Sequence, residues 1–187
     1  MAFLSFGSKK GKVKKMLENN QIGQVVEEAV KDKKIREALF ELLQDSSPGT
    51  VGDALLTITM VMDENPDVIK SHLTEEIVRQ LLGLVESRNP YVRENSMVLL
   101  YRIVKDLPDV TKRYWGLFME EAERVLREGD VNQKGFMLVL IGEFRIKGLE
   151  DLVKELVNVE DKVILPFEGK KWVKLGDIAK ETLEKLV

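Results

Sequence analysis

The chain has 187 residues, 44% of them hydrophobic and 33% charged, with a net charge of −3. That balance suits a globular chain with enough apolar material for a continuous core, and it excludes a chain that grips nucleic acid by overall basic charge. With no cysteine and a single histidine, His72, disulfides, thiolate nucleophiles, Cys-ligated zinc and an HExxH zinc site are excluded too.

Met1 to Phe6 is too short an apolar stretch for a signal peptide, and its lysines follow it instead of preceding it. Residues 1–11 are expected to be a flexible basic tail. Residues 12–31 read as an N-terminal cap of two short helices, broken near Asn19-Asn20, with Ile22, Val25, Val26, Ala29 and Val30 forming a stripe. A helix over Lys33 to Gln44 puts Ile35, Leu39, Leu42 and Leu43 on one face at helical spacing. Asp45-Ser46-Ser47-Pro48-Gly49 breaks it, and a second helix runs to about Met62. After a loop over Asp63 to Asp67, Thr74-Glu75-Glu76-Ile77 has a cap residue followed by acids, where the helix dipole favours them. Pro90 opens the next helix, at a position where its missing N–H costs nothing. A helix from about Thr111 to Arg127 follows, then a turn at Glu128-Gly129-Asp130 and a helix to about Arg145. Another runs from Gly148 to about Val159. Val163 to Phe167 and Lys171 to Lys174 flank Glu168-Gly169-Lys170, the pattern of a β-hairpin in which Pro166 limits pairing. A last helix is expected over Asp177 to Leu186.

Four segments repeat along this order, beginning Val51-Gly52-Asp53, Val92-Arg93-Glu94, Val131-Asn132-Gln133 and Leu175-Gly176-Asp177, about 40 residues apart. Four positions after each opening aliphatic residue come Leu55, Ser96, Gly135 and Ala179, three of them small. Asn89-Pro90-Tyr91-Val92-Arg93-Glu94, with Ser96 and Leu100, resembles the Asp/Asn-Pro-x-Val-Arg opening of second helices in the HEAT-like family, relatives of armadillo repeats. Asp45 to Val51 is a looser copy without the basic residue; Asp130-Val131 lacks the proline. The resemblance implies an all-α solenoid of about four helical hairpins in one domain, with repeats over 33–62, 74–105, 111–146 and 148–187 and a small β-hairpin in the last. It also implies scaffolding and macromolecular binding, which narrows function little.

Helical phase then locates a contact surface, because successive residues turn by about 100°. In the second helices, Asp53, Thr57, Met60, Glu94, Val98, Tyr101, Met137 and Leu140 fall opposite the expected core face. An apolar strip meeting water marks a partner site; the competing reading is that the strip is covered by the chain itself. The helix from Val131, apolar nearly all round, reads as a buried central helix. The hairpin offers Phe167, Lys170, Lys171 and Trp172 as a secondary contact, since exposed aromatics anchor partners. The expected partner is therefore an unidentified protein or peptide, bound without catalysis or cofactor, in the cytoplasm. No stretch has the roughly 20 apolar residues of a membrane span, and the abundance of Lys and Glu suits a thermophile.

The alternative is nucleic-acid binding through Lys9, Lys10, Lys12, Lys14 and Lys15, flanked by Phe3, Leu4 and Phe6. An ordinary solvated tail competes with that reading. Asp63-x-Asn65-x-Asp67 imitates a calcium loop, but Pro66 interrupts it, Val68 replaces the turn glycine and Thr74 replaces the bidentate glutamate. No metal ligand set and no catalytic constellation emerges.

Overall fold

The structure, a computed structural model, describes residues 8–187. The described chain is helical apart from one two-stranded antiparallel ladder. The chain divides into two compact units, residues up to Leu99 and residues from Leu100 onward.

The first unit contains α1 (Lys9–Glu18), α2 (Ile22–Lys31), α3 (Lys33–Glu41), α4 (Pro48–Glu64), α5 (Asp67–Lys70), α6 (Glu75–Leu84) and the opening of α7 (Pro90–Asp106). Its helix ends follow from local chemistry. Ser8 caps α1 by accepting from the Gly11 N–H, so Lys9, Lys10 and Gly11, expected in a flexible segment, are helical. The rest of the expected 1–11 segment, with Phe3, Leu4 and Phe6, lies outside the described residues. Asn20 turns the chain with φ 57°, a left-handed conformation that asparagine tolerates well. Asp32 ends α2 with its own N–H and starts α3 by accepting from the Lys34 N–H at 2.8 Å. Thr74 accepts from the Ile77 N–H, as its position before two acids suggested. Asn89 accepts from the Tyr91 and Val92 N–H groups at 3.0 and 3.2 Å, which explains why Asn-Pro opens α7.

Helix α4 is the centre of this unit, with α1, α2 and α3 all packed on it. The buried Ile35, Leu39, Leu55, Ile58 and Leu81 form much of the core. A small residue of α7 ties two helices together. Ser96 of α7 is fully buried and donates its hydroxyl to the Leu81 carbonyl of α6 at 2.7 Å. The loop expected over 63–67 is shorter than that, because Asp67–Lys70 forms the one-turn helix α5.

The second unit holds the end of α7, then α8 (Pro108–Arg113), α9 (Trp115–Glu128), α10 (Val131–Glu143), α11 (Glu150–Glu155), β1 (Lys162–Ile164), β2 (Lys171–Lys174) and α12 (Leu175–Leu186). The single helix expected from Thr111 is two helices. Pro108 starts the first at N1, and Tyr114, at φ −107° and ψ 24°, separates it from α9. The helix expected from Gly148 begins only at Glu150 and ends at Glu155, because Gly148 sits at φ 102°, outside helical space.

Helix α10 opens with a reciprocal capping box between Asp130 and Gln133. All of its residues from Gly135 to Gly142 are buried, with α9, α12 and β1 packed around it. Gly135 is what admits the strand: a Cβ there would lie 3.2 Å from Val163 Cγ1. Thr182 of α12 is buried and donates to the Leu138 and Ile178 carbonyls at 2.9 and 2.8 Å, tying α12 to α10. Gly176, in the first turn of α12, is needed for close approach. A Cβ there would be 2.5 Å from the Val157 carbonyl oxygen.

The strands pair antiparallel, Lys162 with Lys174, Val163 with Val173 and Ile164 with Lys171. Trp172 is thus the extra residue of a β-bulge. Gly169, at φ 72°, makes the turn in which the Lys170 N–H donates to the Phe167 carbonyl. Pro166 lies in that loop and not in a strand, so the ladder is shorter than the β-prone run around it.

Candidate functional site

The predicted strip does not survive as drawn. Thr57, Met137 and Leu140 are buried, at 0%, 3% and 2% exposure. The reason is the same in both units: α4 and α10 are central helices with neighbours on several sides, so neither keeps the free face that simple phase assigns. Thr57 spends its hydroxyl within α4, donating to the Asp53 carbonyl at 2.6 Å. Asp53, Met60, Glu94, Val98 and Tyr101 are partly exposed. Asp53 is not a free acid, because the Tyr91 phenol donates to it at 2.6 Å. Burial, and then that carboxylate, push the Tyr91 phenol up to about 12. Its ring lies over Gly52, where a Cβ would come within 2.1 Å. Met60 lines a shallow cleft of about 400 Å³ with Val26 and Val30 in the first unit.

In the second unit, two residues taken from separate motifs converge. Tyr101 on α7 and Phe167 in the hairpin loop stand with ring centroids 5.1 Å apart, and Phe167 stacks in turn on buried Phe136 at 6.2 Å. Tyr101 also meets Phe144 at 6.1 Å. Tyr101, Phe167 and Val139 line an open cleft of about 260 Å³, edged by Glu143, Glu168 and Lys170. That volume falls below the usual range for small-molecule sites and suits one large apolar side chain.

The rim is largely neutralised within the unit. Lys170 pairs with Glu181, and Lys185 pairs with both Glu181 and Glu143. The Lys170 partner holds the Glu181 carboxyl below its usual range, against the opposing effect of burial. Hydrogen bonding to Glu143 raises Lys185, again against burial. Burial, then the Glu143 carboxylate, raise the Tyr101 phenol, so it is neutral and able to donate at physiological pH. The cleft can therefore take an apolar group and offer a hydroxyl beside it.

Sequence reasoning misses Val139 and Glu143. Phase points to Leu140, and Val139 lies one residue back, about 100° around the helix. The other hairpin residues separate by face: Lys170 turns to Glu181, whereas Lys171 and Trp172 are exposed.

The N-terminal lysines are mostly engaged. Lys9 pairs with Asp32, Lys12 with Glu28 and Lys14 with Asp45, at 3.7, 3.3 and 3.0 Å. Lys10 lines a cleft with Glu37, Glu41 and Glu76, and Lys15 is exposed. Exposed pairs of this kind contribute little stability, but they lower the positive potential that phosphate would meet.

Among the described residues, no group of three or more His, Asp or Glu side chains converges as a metal-ligand set. No helix among them is long and apolar enough to cross a membrane. No family model, curated protein or solved structure matches this chain.

Proposed function

We propose that this chain is a non-catalytic scaffold of HEAT-like kind that binds a protein or peptide through the cleft between Tyr101 and Phe167. The observation that carries the reading is the convergence of these two rings, 5.1 Å apart, on a cleft sized for one side chain. Aromatic anchors in small apolar clefts with a polar rim are a common basis of peptide recognition. The neutralised rim favours an apolar anchor over a charged one. Support for the HEAT-like assignment comes from the four repeat segments, each lying in the opening turns of a long helix: α4, α7, α10 and α12. A cytoplasmic setting suits a chain without cysteine.

The test is selection from a displayed random-peptide library on the intact chain, followed by titration of selected peptides. Peptides with a large apolar anchor should emerge, and Tyr101→Ala should weaken them by about tenfold or more. Circular dichroism of the variant should remain helical. Selected peptides that bind the Tyr101→Ala chain with unchanged affinity would reject the cleft.

A further inference from the structure

We propose that the outer face of the β1–β2 hairpin binds a short acidic peptide segment, with Trp172 as its apolar anchor. This deepens the protein-binding reading and rests on it, but uses the opposite side of the hairpin from Phe167.

Strand alternation defines that face. Val163 is buried while its neighbours Lys162 and Ile164 are exposed, so their cross-strand partners Lys174 and Lys171 share the outer side with them. Lys162 stands directly opposite Lys174, an arrangement in which like charges repel. Glu160 neutralises Lys174. Among the described residues, Lys162 and Lys171 have no ion pair.

Trp172 is 68% exposed and Ile164 40%. The tryptophan occupies the bulge at φ 59°, a region that disfavours any residue with a Cβ. A glycine would satisfy that backbone, so nothing in the hairpin's own folding accounts for an indole there. Together the face presents an aromatic and an aliphatic side chain between two cations without partners, complementary to an anionic segment that carries an apolar residue.

Length selects among anions. The strands span three and four residues, about 10–13 Å. Asp161 lies just before β1, and Glu168 sits in the turn at the other end. A nucleic-acid backbone or an anionic bilayer extends past both ends and meets those carboxylates. A segment with one or two acids does not.

The experiment uses the full chain with Trp115→Phe, which leaves Trp172 as the only indole. The probe is a short fluorescein-labelled peptide of alternating Glu and Leu, beside its Gln/Leu analogue, an oligothymidylate and phosphatidylserine vesicles. The acidic peptide should shift the Trp172 emission to the blue and bind saturably. Lys162→Glu with Lys171→Glu, and separately Trp172→Ala read by peptide anisotropy, should each weaken it by about tenfold or more. Equal binding of the Gln/Leu analogue, tighter binding of the oligonucleotide or vesicles, or no binding at all would overturn the proposal. Tyr101→Ala distinguishes the two readings. Library peptides and the acidic peptide both binding Tyr101→Ala with unchanged affinity condemn only the cleft. Library peptides lost in Tyr101→Ala, with no binding of the acidic peptide to the parent chain, condemn only the hairpin face.

Discussion

Arg36 donates its Nε–H to His72 Nε2 at 3.2 Å, so the neutral imidazole carries its proton on Nδ1. The ring stacks on Phe40 with centroids 5.2 Å apart. Burial first, and then the Arg36 charge, hold His72 below its ordinary value of 6.5. A lowered value in a base means that the unfolded chain takes up the proton at higher pH than the folded one. The His72 contribution to stability is therefore complete above about pH 6.5 and is lost as pH falls from there through the folded value. As the only histidine, His72 gives a single imidazole signal in a proton NMR titration. Its midpoint should lie below 6.5, and Arg36→Gln should move it upward. A midpoint at or above 6.5 in the native chain would contradict the Arg36 contact. Little of this was legible in the sequence: Ser71-His72-Leu73-Thr74 reads as an exposed approach to a helix, because Arg36 and Phe40 are brought to the ring only by folding.

At the scale of elements, a helix start with a clear cap residue was readable: Thr74 caps α6 as its side chain announces, because an N-cap needs only a nearby oxygen and a free N–H. Asp130 and Asn89, read from sequence only as turn and motif residues, cap α10 and α7 in the same way. Interior faces were less readable. Repeat phase turns Met137 and Leu140 outward, whereas the all-round apolar character of α10 already read as a buried central helix, and it is buried; for Thr57 of α4 phase alone gave no sign of coverage. The hairpin was visible from Gly169 and its β-prone flanks, but the bulge was not, since it depends on cross-strand register. Left-handed backbone at a residue with a Cβ costs about 1–2 kcal/mol. Trp172→Gly should accordingly leave the hairpin intact and raise stability by up to about 1 kcal/mol, after the added freedom of the unfolded chain is offset. The measurement is the urea midpoint at constant slope. A lower midpoint would show that the indole packs on the fold and would count against its role as a free anchor.

For the molecule as a whole, the charge balance sets a response to acid. Asp32 and Asp45 are held below their usual 3.8 chiefly by accepting backbone N–H bonds from Lys34 and Ser47. Glu160 and Glu181 are held below 4.5 chiefly by Lys174 and Lys170. For carboxylates lowered in the folded state, stability is full above the unfolded values and is lost as pH falls through the folded ones. His72 adds an earlier loss below about 6.5. The urea midpoint should thus decline modestly from pH 7 to 5 and more steeply below about pH 4.5. A midpoint that holds constant or rises across this range would show that these pairs do not persist in solution.

By itself the sequence determined the predominantly helical character, the Thr74 cap, the hairpin and the spacing of the four segments that open α4, α7, α10 and α12. Each of these follows from interactions within a few residues or from periodicity along one helix, which a linear chain records. Only the tertiary structure decided that Thr57 is interior, that Tyr101 meets Phe167, and that Trp172 stands exposed in a strained bulge. Those outcomes depend on which distant segments cover a given face, and on the close approaches that Gly135 and Gly176 permit. Coverage is a property of packing in three dimensions, and no repeat spacing encodes it.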